Sequence, residues 1–239
     1  MRVFFQLGTA ISLAWIAVPA AAQTSDPNVR TCVDKSGDEA IAGCTAAITS
    51  GKLSTANLAA MFFNRGNAYK HQNEFARAIA DYTEAIRLNP QFADAFLNRG
   101  NAYQAQKDFA RAIADFSEAI RLNPQYAQAF LNRGNAYKHQ NEFARAIADY
   151  TEAIRLNPQF AAAFLNRGIV YLKQANWAAA FADFETTSRL VPNAPFALYG
   201  RGLAALHLGK AAEGQADIAA ATKADPSVAK VYADEGLIP

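Results

Sequence analysis

The chain is poor in the residue types that do chemistry. Its 239 residues include two cysteines, three histidines, two methionines and two tryptophans. No Gly-rich phosphate loop, nucleophile elbow or Ser-His-Asp set is present in the sequence, so no catalytic activity and no cofactor is expected. His71, His139 and His207 stand two repeat lengths apart. Helices pack about 8–10 Å apart, so two repeats displace these rings by roughly 20 Å and they cannot share a metal. The two cysteines are twelve positions apart with no histidine near, which is not a zinc spacing. Charge of one sign is also missing: 23 Lys and Arg face 21 Asp and Glu, a net +2. That balance does not support nucleic-acid binding. The longest apolar stretch, 3–18, is broken by Gln6, Gly8, Thr9 and Ser12. It falls short of the ~20 residues of a membrane span.

What the chain has is repetition. Residues 130–160 read FLNRGNAYKHQNEFARAIADYTEAIRLNPQF, and 62–92 repeat this with Phe63 for Leu131. A looser copy occupies 96–126, and more divergent ones follow. The offset is 34, marked by Gly66, Gly100, Gly134, Gly168 and Gly202 and by Pro90, Pro124, Pro158, Pro192 and Pro226.

Within a copy, Phe62, Gly66 and Tyr69 fall at i, i+4, i+7, and so do Ala78, Tyr82 and Ala85. Both runs are helical stripes. The apolar-free His71-Gln72-Asn73-Glu74 between them predicts a turn. Asn89-Pro90 ends the second helix and suits the N-cap and first position of the next. Short connections make neighbouring helices antiparallel.

Phe62, Gly66, Tyr69, Ala78, Tyr82, Ala85 and Pro90 together match, one by one, the signature of the tetratricopeptide repeat family, which this chain resembles. Copies two to four match nearly as well, with Thr187 in the place of Ala85. In the fifth, Leu198, Ala205, Gly214 and Ile218 replace Phe62, Tyr69, Ala78 and Tyr82. The resemblance implies an all-α, right-handed superhelical solenoid with repeats at 59–92, 93–126, 127–160, 161–194 and 195–228.

The ends are expected to differ from the repeats. Residues 1–22 read as a secretory leader, with Arg2 before the apolar run and Pro19-Ala20-Ala21-Ala22 before Gln23. The rival reading is a retained membrane anchor. Cleavage predicts export, to a bacterial periplasm, with no membrane insertion afterwards. Residues 23–30 are polar and expected to be loose, and 31–58 to form an N-terminal cap. There, AIAGCTAAI at 40–48 aligns with AIADYTEAI at 78–86, so 38–50 reads as a lone second helix, followed by a longer loop over 51–58. In an exported chain Cys32 and Cys44 are expected to pair, offsetting the Tyr82 ring that Cys44 replaces. Residues 229–239 predict a C-terminal capping helix over 228–235, with Ser227 as its cap and Val228, Val231 and Tyr232 as its covering face.

Three ladders remain. Arg65, Arg99, Arg133, Arg167 and Arg201 precede each glycine, and Asp81, Asp115, Asp149, Asp183 and Asp217 recur in the second helix. They read either as an ion pair within each repeat, Arg133 with Asp149 for example, or as a basic groove for acidic ligands. Asn64, Asn98, Asn132 and Asn166, with Asn67, Asn101 and Asn135 three residues on, share one helix face away from the packed one. The row reads either as a solvated polar face or as a site for a peptide backbone, since an amide both donates and accepts. The resemblance places it in the concave groove where the family binds extended peptides. The family's two-carboxylate clamp needs a lysine just before the first Asn, where this chain has Phe63, Leu97, Leu131, Leu165 and Tyr199. An apolar strip of Leu97, Leu131 and Leu165 beside the Asn row favours a peptide with alternating apolar side chains. The expected function is a non-catalytic scaffold for a protein or peptide partner, the alternative being an envelope module that self-associates through its repeat ends.

Overall fold

The computed structural model describes residues 26–238, so the expected leader at 1–22 lies outside the described residues. Thirteen α-helices and no strand occur among the described residues. They are α1 (Pro27–Asp34), α2 (Gly37–Thr49), α3 (Thr55–His71), α4 (Phe75–Leu88), α5 (Ala93–Ala105), α6 (Phe109–Leu122) and α7 (Ala127–His139). Then follow α8 (Phe143–Leu156), α9 (Ala161–Lys173), α10 (Trp177–Leu190), α11 (Pro195–His207), α12 (Ala211–Ala224) and α13 (Val228–Asp234). Consecutive helices pack in pairs as helix-turn-helix units. None is long and apolar enough to cross a membrane. The described chain divides at Tyr137 into two compact units, 26–136 and 137–238.

In the first unit the seams of α3–α4 and α5–α6 are each a glycine against an aromatic ring. A Cβ on Gly66 would stand 2.7 Å from the Tyr82 ring, and one on Gly100 equally close to Phe116. Both rings are fully buried. Phe63 packs on Tyr82 and Phe92 at ring distances of 5.8 and 4.8 Å.

The N-terminal cap is more complete than the sequence pattern predicts. Residues 27–34 are helical, not loose, so α2 has a first-helix partner and is not alone. The overlooked signal is Asp26-Pro27. The Asp26 carboxylate accepts from the Asn28 amide, and Pro27 takes a first-turn position that needs no N–H. Counting back 34 residues, Cys32 stands where Gly66 does. The Cys32–Cys44 disulfide therefore joins the two places that a glycine and a ring occupy in the next unit. The loop after α2 is also shorter than 51–58, because Ser54 caps α3 by accepting from the Asn57 amide and the helix begins at Thr55.

The connections explain two further differences. Asn89-Pro90 does not begin α5. The Asn89 side chain accepts from the Gln91 amide, its carbonyl accepts from Phe92, and α5 starts at Ala93 with Phe92 before it. Likewise Ser227 does not cap α13, since its hydroxyl is bonded to Asp225.

Within pairs the turn needs one residue at positive φ, held as the Glu74 amide donates to the Tyr69 carbonyl. That residue is Asn73, Lys107, Asn141, Ala175 and Gly209 in successive repeats. Ala175, at φ 55°, lacks the side-chain amide that makes Asn tolerable there. Ala175→Gly should therefore raise stability by about 1 kcal/mol. Chemical denaturation with hydrogen exchange of the α9–α10 amides would read it, and a loss of stability would refute the strain.

In the second unit Leu165, Ile169, Phe184, Tyr199, Val228 and Tyr232 lie in one core. Thr187 keeps the buried place of an alanine by donating its hydroxyl to the Asp183 carbonyl. The fifth repeat has lost its ring, and there the backbones themselves close up: a Cβ on Gly202 would meet the Gly214 carbonyl at 2.8 Å. Against α11 lies α13, with Tyr232 fully buried and its hydroxyl donating to the Phe196 carbonyl at 2.6 Å.

Candidate functional site

Each of the four described arginine–aspartate pairs is a two-pronged salt bridge. Arg65, Arg99 and Arg167 reach Asp81, Asp115 and Asp183 with both nitrogens at 2.8 Å, and Arg201 reaches Asp217 at 2.7 Å. The arginine continues to the preceding repeat. Its remaining nitrogen donates to Thr45 from Arg65, to Thr83 from Arg99, to Ser117 from Arg133 and to Thr151 from Arg167, at 2.9–3.1 Å. Those of Thr83, Ser117 and Thr151 in turn donate to their own helix. Except in the fifth repeat, where Leu198 stands there, each guanidinium also lies over a phenylalanine three residues back, Arg99 on Phe96 at 5.6 Å and Arg133 on Phe130 at the same distance. Asp149 is buried on α8 in the second unit.

The carboxylates in this row are costly. Burial pushes Asp115 and Asp183 above the usual carboxylate range, against the pull of Arg99 and Arg167. The hydrogen bond to Asp183 holds Arg167 more firmly protonated. A guanidinium with carboxylate, hydroxyl and ring already on it is a structural tie between repeats, not a free cation for a ligand. The recurring hydroxyl after each second-helix ring, at Thr83, Ser117 and Thr151, was the sequence signal for this tie, and it ends at Glu185.

Of its two readings, the asparagine row is not a solvated polar face. Asn64, Asn67 and Asn132 are buried, and Asn98 and Asn101 are half-buried. The members bond sideways from repeat to repeat. Asn98 donates to Asn67 at 3.0 Å, and Asn132 to Asn101 at 2.7 Å. Asn67 also accepts from the Tyr82 hydroxyl, Asn98 from Lys70, and Asn132 from Gln128. Asn135 on α7 and Asn166 on α9 are half-buried. The apolar strip is likewise not offered to solvent. Leu97, Leu131 and Leu165 are 5–7% exposed, and Leu97 and Leu165 belong to the packed cores. Leucine follows the packing phenylalanine directly, and a wide helix-packing stripe takes in both.

Asn64 is the exception in the row. Both amide atoms are buried and have no hydrogen-bond partner among the described residues. The residue 31 positions back, the offset at which Asn98 finds Asn67, is Val33, which has no side-chain acceptor.

The histidines end their helices, and His207 stacks on Trp177 at 3.8 Å. Among the described residues no group of three acidic, histidine or cysteine side chains is placed to hold a metal.

Comparison with known proteins agrees with this architecture. A family model described as TPR repeat matches residues 66–107. One described as Tetratricopeptide repeat matches 97–159, 131–195 and 165–229, which together span more than half of the chain. No curated protein matches significantly. Among solved structures, MamA is 25% identical, with 69% of this chain and 96% of that one covered and a TM-score of 0.63. YrrB, described as a TPR protein with an unusual peptide-binding site, is 21% identical over 80% and 97% of the two chains, TM-score 0.65. A tetratricopeptide repeat protein from Parabacteroides merdae is 22% identical over 75% and 70%, TM-score 0.64. With its 34-residue period, its glycine–ring seams and these matches, the chain belongs to the tetratricopeptide repeat family.

Proposed function

We propose that this chain is a non-catalytic scaffold that holds an extended segment of a partner protein along the asparagine-bearing face of α3, α5 and α7. Members of the family typically mediate protein and peptide binding and are generally not catalysts. The observation that carries the reading is Asn64. A buried amide left without partners costs about 1–3 kcal/mol, and a peptide group supplies the donor and acceptor that Asn64 lacks. Asn67, Asn98, Asn101 and Asn132 are already tied in pairs across repeats, so they shape the face. Asn64, itself withdrawn from water, meets the guest only as side chains on that face move aside. The buried Cys32–Cys44 disulfide supports an oxidising compartment, the bacterial periplasm, as the place where this happens.

The reading separates Asn64 from Asn67. Asn64→Ala should leave stability unchanged or raise it by about 1 kcal/mol, because it removes an orphaned amide. Asn67→Ala should lower it by about 1–2 kcal/mol, because it strips an acceptor from Tyr82 and Asn98. Proteins captured from envelope extract by the wild-type chain should be lost with Asn64→Ala. Capture that survives Asn64→Ala would move the binding face elsewhere.

A further inference from the structure

A second charged site lies in the second unit. Lys173, the last residue of α9, donates to the Glu235 carbonyl at 2.6 Å and pairs with its carboxylate at 2.9 Å. Lys138, near the end of α7, stands 3.9 Å from the other carboxylate oxygen. The three side chains are 19%, 7% and 20% exposed, so the cluster is largely withdrawn from water. Desolvation works to raise the Glu235 carboxyl, yet the two lysines outweigh it and hold it below the usual range.

This cluster is not a repeat feature. In successive repeats the place of Lys173 holds His71, Ala105, His139 and His207. A lysine appears there only in the repeat that Glu235 reaches. Beyond Glu235 the chain turns at Gly236, φ 71°, as the Leu237 amide donates to the Tyr232 carbonyl. Leu237 and Ile238 then lie, partly buried, against the core that contains Leu165 and Tyr199. Residues 235–238 thus dock as a short ligand would: one carboxylate between two ammonium groups, then two aliphatic side chains on an apolar wall. They follow α13, which Val228 and Tyr232 hold in the core.

We propose that Lys138 and Lys173 form a carboxylate-binding site for an acidic–aliphatic segment of a partner protein, with residues 235–238 as its resident competitor. The segment that fits has a glutamate followed, two residues on, by a pair of aliphatic residues. The inference concerns residues 137–238 alone and stands or falls independently of Asn64. A tethered occupant is present at about millimolar effective concentration. If the free segment binds with a Kd of about 0.1 mM, the tail weakens an incoming segment about tenfold.

The probe is a fluorescent synthetic peptide of residues 233–239, ADEGLIP, titrated by anisotropy into the full chain. It should bind Glu235→Ala about tenfold tighter than wild type, and adding Lys173→Glu to that variant should abolish binding. Free glutamate at the same concentration should not compete, because it lacks the aliphatic pair. Equal affinity for wild type and Glu235→Ala, survival of binding in the Lys173→Glu background, or competition by glutamate alone would each overturn the proposal. Should Glu235→Ala loosen the last repeat, Glu235→Gln removes the charge while keeping the shape. It should likewise bind the peptide more tightly than wild type, and equal affinity would also overturn the proposal.

Discussion

Asp115→Ala should cost about 3–5 kcal/mol, the largest effect expected of a single side chain here. The Arg99 side chain is 17% exposed and that of Asp115 7%, so removing the carboxylate strands a guanidinium out of water. Arg99→Leu should cost a comparable amount by stranding Asp115. The double variant Arg99→Leu with Asp115→Tyr should recover most of the loss, because it removes both buried charges and fills the seam with largely apolar side chains. The reason lies in the sign of the Asp115 shift. Burial holds its carboxyl above the unfolded value of about 3.9. Its ionisation therefore costs stability as pH rises through the raised value, and its contribution is fully favourable only below the unfolded one. At neutral pH the pair is held together more by the penalty of breaking it than by net gain over an apolar pair. Denaturant unfolding of the full set, with hydrogen exchange on α5 and α6 to localise the loss, would measure the coupling. Additive effects of the two single variants would show that the salt bridge contributes nothing of its own.

Replacing Cys32 and Cys44 together by serine should cost about 3 kcal/mol, the chain-entropy value for a loop of about 13 residues. The bond has no substitute in its surroundings. Cys44 stands where Tyr82 fills the next seam, and both sulfurs are fully buried. Serine there leaves two hydroxyls in a small core of Val29, Ala47, Ala60 and Met61. The loss should be local. Exchange protection should fall in α1 and α2 and stay unchanged in α5 and α6, since a repeat array loses structure from its ends. Restoring volume without the bond, as Cys44→Leu with Cys32→Ala, should recover only part. Uniform loss of protection across the first unit would contradict an end-cap role for the disulfide.

The repeat unit was legible because one periodicity carries it. Glycines and rings 34 residues apart mark the seams, and the structure puts Gly66 on Tyr82 and Gly100 on Phe116. The pairing of Arg with Asp followed from opposite charges beside two packing residues. The first helix of the cap was not legible as a repeat, since α1 keeps the 34-residue offset but none of the ring pattern. Its signal was local, in Asp26-Pro27. Side-chain neighbours between repeats were the hardest to read. The asparagines share a helix face in sequence, but whether an amide there meets water or another amide depends on the next helix. In the structure Asn98 meets Asn67, whereas Asn64 has Val33 at the same offset and finds no amide partner among the described residues. The same holds for Lys138, Lys173 and Glu235, which are far apart in the chain and meet only because α13 packs back on α11 and α12. Sequence by itself determined the local helices and the spacing of their seams, because both repeat within a few turns of chain. Only the tertiary structure decided which polar groups are paired, because a partner supplied by another helix leaves no periodic trace.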